Sequence, residues 1–138
     1  MIWPGGTVAI ERFNIVPNGL ALDPQANQPQ GGWWWNPSES GRGFFIEFQG
    51  NTADVAGYMY DDQGNPVWYL AVYSTNNFST LTGNWWTYGN GQTLTGTYRP
   101  ATQTSNNFAP LNIRFDSSTT ARMTLPDGRT LNLQRHRF

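Results

Sequence analysis

The chain contains no cysteine and no lysine, and only 12% of its 138 residues are charged. Without cysteine there are no disulfides, no thiol nucleophile and no thiolate metal site. All eight basic residues are arginines; nine acids bring the net charge to −1, and the arginines form no run. That distribution excludes an electrostatic nucleic-acid footprint. A lone histidine, His136, rules out histidine-cluster metal sites and indicates no Ser-His-acid set. No glycine-rich segment matches a phosphate loop, so no cofactor is expected. No apolar run approaches the ~20 residues of a membrane-spanning helix, so no membrane insertion is expected. Residues 1–20 show no basic stretch followed by an apolar one, and no signal peptide is read there.

Aromatic side chains are abundant: seven tryptophans, six tyrosines and eight phenylalanines, alongside 15 glycines and 9 prolines. Asn, Gln, Ser and Thr supply most of the polarity. Uncharged polar surface mixed with Trp and Tyr suits neutral hydrogen-bonding ligands such as sugars. A low-charge β-protein with threonine and asparagine on its exposed faces has the same composition.

The densest signal is Trp33-Trp34-Trp35-Asn36-Pro37, which runs into Glu39-Ser40-Gly41-Arg42-Gly43. In an extended chain neighbouring side chains leave on opposite faces, so Trp33 and Trp35 share one side and Trp34 takes the other. Trp85-Trp86 poses the same problem fifty residues later. At least one indole of each cluster therefore needs a second hydrophobic partner: a loop, another chain or a ligand.

Apolar spacing follows period 2, and Asn, Gly and Pro interrupt any helix. Residues 7–16 read as a strand with Val8 and Ile10 on its apolar side, and residues 23–32 as a polar loop or linker. Residues 43–49 place Phe44, Ile46 and Phe48 on one face and Phe45, Glu47 and Gln49 on the other. Residues 54–60 follow, then a strong hairpin loop at 61–66. Residues 67–73 are apolar on both faces, which predicts a central strand covered on both sides. Residues 80–88 and 92–98 flank a turn at Gly89-Asn90-Gly91, and 100–107 reads as a polar loop. Residues 111–115, 119–125 and 130–135 close the meander. The expectation is an all-β, antiparallel up-and-down meander of about eight strands, with a barrel favoured over a sandwich. A barrel also leaves no exposed strand edge. Residues 1–31 form an N-terminal strand and polar linker, and residues 32–138 the barrel domain.

Trp34-Trp35-Asn36-Pro37-Ser38-Glu39-Ser40-Gly41-Arg42-Gly43 resembles a module of bacterial exported proteins in which a W-N-P-x-E-S-G-x-G signature opens a β-meander. The likeness continues through Gly64-Asn65-Pro66-Val67-Trp68-Tyr69 and the final Leu133-Gln134-Arg135-His136-Arg137-Phe138, and covers about residues 32–138. It implies a fold, boundaries and an extracellular or periplasmic setting rather than an activity. A looser similarity is to the calycin barrels, the lipocalins and avidins. There a Gly-x-Trp near the first strand packs beneath an arginine of the last. Gly32-Trp33-Trp34 and Arg135 or Arg137 would take those parts, with a guanidinium over an indole.

Several polar groups carry both a functional and a structural reading. Glu39 could accept hydrogen bonds from ligand hydroxyls, or pair with Arg42 and fix its turn. Two carboxylates among Glu39, Glu47, Asp54, Asp61 and Asp62 would serve glycoside hydrolysis if ~5–9.5 Å apart. Asp61-Asp62-Gln63-Gly64-Asn65 lacks the spaced ligands of a calcium loop and reads as a β-turn, so no metal is expected.

The residues point to a non-enzymatic binding domain for a neutral ligand, with carbohydrate the best match. The expected stacking platforms are Trp34, Trp35, Trp85, Trp86 and Tyr88, with Asn36, Glu39 and Asn84 as polar contacts. Three alternatives stay open: a calycin-like barrel holding a small apolar molecule inside, a structural module that self-assembles into a homo-oligomer, and a carboxylate-dependent glycan-cleaving enzyme.

Overall fold

The computed structural model describes residues 2–3, 6–7 and 9–137, with side chains from Thr7 onward, Val8 apart. Two short strands, β1 (Ile2–Trp3) and β2 (Gly6–Thr7), pair with each other. After a single 3-10 turn at Gly19–Ala21, eight antiparallel strands follow in order. They are β3 (Gly32–Asn36), β4 (Glu39–Gln49), β5 (Thr52–Tyr60), β6 (Pro66–Ser74), β7 (Thr80–Asn90), β8 (Ala101–Phe115), β9 (Thr120–Thr124) and β10 (Thr130–Arg135). Each pairs with its sequence neighbours, and β10 returns to β3, closing the up-and-down meander into a barrel.

Alternation along each strand sorts the side chains. Trp34, Phe44, Ile46, Phe48, Val55 and Ala71 point inward from the first four strands. Leu81, Trp85, Leu111, Ile113, Met123 and Leu133 meet them from the last four. Trp34 packs edge-on against Phe115 at 5.4 Å, and Trp85 stacks on Phe44 at 6.2 Å. The interior is thus filled with apolar side chains, as expected for a small barrel. Outside, β8 to β10 expose Asn112, Arg114, Arg122 and Asn132. On these strands an apolar lumen with a charged and polar exterior inverts the pattern of a transmembrane barrel. Among the described residues, no helix is long and apolar enough to cross a membrane.

The barrel consists of two four-strand meanders, β3–β6 and β7–β10, that use the same inward pattern. Phe44, Ile46, Phe48, Ala53 and Val55 alternate inward in the first, and Leu111, Ile113, Phe115, Ala121 and Met123 in the second, and all ten are buried. Each meander opens on Gly-x-Trp, with Trp34 in one and Trp85 in the other. The two joints between meanders are narrow. β10 registers with β3 at Trp34 and Trp35, and β6 with β7 at Leu70 opposite Trp86, whereas β5 and β6 pair throughout their length.

A long side chain closes each joint by lying over a glycine of the facing strand. Arg135 covers Gly32 and donates from Nε to the Gly31 carbonyl at 2.6 Å. Tyr73 covers Gly83 and donates its hydroxyl to the Asn84 carbonyl at 2.9 Å. A Cβ on either glycine would collide with the covering side chain. The Arg135 guanidinium lies against Gly32, and Trp34 is the register partner of Arg135.

Three expectations from the sequence are corrected. Residues 9–14 form no strand, and Ile10 and Phe13 are exposed; Val8 lies outside the described residues. This segment is instead tied to the barrel by the buried Gln49. Gln49 accepts from the Ile15 and Val16 amides and donates to the Phe13 carbonyl. Residues 92–98 form a loop folded around Gln92, which accepts from the Arg99 amide, while Leu94 and Tyr98 stand exposed. The strand falls later, within Ala101–Phe115, because that run pairs with the end of β7, Tyr88 opposite Gln103 and Asn90 opposite Ala101. β6 is also uncovered on its outer side at Trp68.

Candidate functional site

The outer face of β3 to β7 carries two adjacent rows of side chains set by strand register. One row reads Trp35, Gly43, Tyr58, Trp68; the next reads Trp33, Phe45, Ala56, Leu70, Trp86. Gly43 leaves a gap in the first row, and the Trp33 indole lies over it so closely that any Cβ there would clash. Trp33 then meets Tyr58 at 5.8 Å with planes tilted by 31°. At the far end Trp68 stacks on Tyr88 at 5.5 Å and 10°. The rings line a groove of about 630 Å³ with Arg42 and Tyr60. Trp68 is 47% exposed, Tyr58 48% and Tyr60 61%.

Charge at the groove is balanced. Arg42 Nη2 donates to Glu39 Oε2 at 2.5 Å. Asn36 is likewise engaged locally, accepting from the Ser38 amide at 3.0 Å in the β3–β4 turn.

Of the residues expected to bind, Trp35 and Tyr88 lie in the aromatic row, and Trp86 lies in the row beside it. Asn84 stands farther along β7 opposite Pro110. Trp34 and Trp85, expected as platforms, are corrected: at 0% and 6% exposure they are core, because alternation turns the middle indole of each cluster inward. Trp33, Phe45, Tyr58, Tyr60 and Trp68 take their place. Period-2 alternation already put Trp33 with Trp35, but only the cross-strand register brings β4 to β6 alongside.

A carboxylate pair lies in the next row, Glu47 opposite Asp54. Glu47 is held by Arg12 at 2.8 Å and by Gln49 at 2.9 Å. Asp54 Oδ1 is buried with no hydrogen-bond partner, and burial, then the charge of Glu47, raises its pKa. Asp61 is occupied in its own hairpin, accepting from the Asn65 side chain and from the Asn65 and Gln63 backbone amides, and these bonds lower its pKa. The packed interior gives no support to an internal ligand.

Fold and site together define a closed all-β meander with an aromatic outer face on one half. No family model, curated protein or solved structure matches the chain.

Proposed function

We propose that the protein is a non-enzymatic binding domain that recognises an uncharged carbohydrate through the outer face of β3 to β6. The observation that carries this reading is internal to the chain. Where the first meander's Gly-x-Trp carries Trp33 with Phe45 opposite it, the second carries Asn84 with Pro110 opposite it. The same scaffold thus tolerates asparagine and proline there, so folding does not require rings at Trp33 and Phe45. Exposed apolar patches of this kind mark interaction sites. Flat rings flanked by hydroxyls and a neutralised Arg42–Glu39 pair suit a ligand with apolar faces and polar edges, which describes a pyranose. An extracellular or periplasmic location fits such a ligand.

The double variant Phe45→Asn/Trp68→Asn replaces two outward rings of the first meander with the residue that the second carries in its Gly-x-Trp. It is expected to fold with a melting temperature near that of the parent and to lose binding on a glycan array. Undiminished glycan binding by the folded variant would refute the assignment.

A further inference from the structure

We infer that the ligand of this face is an unbranched, uncharged polysaccharide segment laid across the strands. This rests on the carbohydrate reading above and adds the shape of the ligand. The Trp33 indole fills the place over Gly43, so rings succeed one another from Trp35 on β3 to Tyr88 on β7. Five strands enclose four inter-strand spacings, which gives the array a length of about 19 Å, roughly four pyranose units. A monosaccharide would cover one or two rings and leave the rest in water. A linear chain matches the row in length and direction.

Charge selects among linear chains. The Arg42 guanidinium at the groove is already paired with Glu39, while Glu47 and Asp54 lie in the row beyond Phe45. An anionic chain would meet no free cation in the groove and would pass close to two acids. A neutral chain meets neither penalty.

The test is isothermal titration of the full chain with mono- to hexasaccharides of neutral β-1,4-linked glucose, xylose, mannose and N-acetylglucosamine. For the series that binds, affinity should rise by about tenfold or more from disaccharide to tetrasaccharide and then level off. Tyr88→Ala, at the far end of the row, should weaken the tetrasaccharide several-fold and by a larger factor than the disaccharide; a thermal melt confirms that it folds. Equal affinity for mono- and tetrasaccharide overturns the linear-chain inference while leaving carbohydrate recognition standing. Absence of binding to every sugar overturns both. A concentration-dependent dimer lost in Trp68→Asn would assign the face to a second copy of the chain and overturn both as well.

Discussion

At the scale of single residues, Asp54 is the least comfortable group on the barrel. Its Oδ1 is buried without a donor, and Glu47 stands opposite it across the ladder. Like charges directly opposite in a sheet are destabilising. Burial, and secondarily Glu47, raise its pKa, so the folded protein holds this proton more tightly than the unfolded chain does. The stability linked to Asp54 is therefore complete below the ordinary aspartate range and is lost as pH rises through the raised value. Asp54→Asn removes the charge and offers an N–H toward Glu47. Urea denaturation at neutral pH should show the variant more stable by about 1 kcal/mol. The advantage should shrink near pH 4, where the parent carboxyl takes up its proton. A less stable variant at neutral pH would contradict this account.

At the scale of elements, the joint between β6 and β7 depends on a side chain as much as on backbone pairing. Tyr73 spans it, and burial pushes its phenol pKa upward, so the hydroxyl stays a donor to the Asn84 carbonyl. Tyr73→Phe should cost about 1 kcal/mol through that lost bond. Gly83→Ala should cost about 1–3 kcal/mol, because the new methyl must displace the Tyr73 ring. Hydrogen exchange provides the readout: amides of Thr80–Asn90 should lose protection in both variants, while those of β4 and β5 keep theirs. Uniform loss of protection would mean that the joint does not open separately.

At the scale of the molecule, the two meanders share one core, with Trp34 and Trp85 contributed by their opening strands. Trp34 meets Phe115 of the opposite meander, and Trp85 meets Phe44 and Tyr69 of its opposite. Each indole therefore welds the halves together, and Trp34→Ala or Trp85→Ala should cost about 3–5 kcal/mol. Calorimetry should show a single transition at lower temperature, with binding kept in the fraction that remains folded. The contrast with Phe45→Asn/Trp68→Asn separates core from face. Core variants lose stability, and face variants lose ligand.

Much of this was legible in the residues. Alternation alone separated Trp34 from Trp33 and Trp35 and paired Phe44, Ile46 and Phe48. The absence of helical spacing gave the all-β class, and the hairpin at 61–66 gave a boundary. Other features depended on partners distant in sequence. Residues 92–98 read as a strand and 100–107 as a polar loop, yet it is the run from Ala101 that pairs with β7. The face of β6 that turns to the lumen was also hidden, since that strand is apolar on both sides. Strand periodicity divides side chains between two faces, but closure of β10 onto β3 decides which face is inside. The aromatic row exists only through register, because it assembles residues from five strands that the chain keeps up to fifty positions apart. Local sequence determines how a strand alternates; only tertiary pairing determines what lies beside it, because the hydrogen bonds and packing that set register act between segments, not within them.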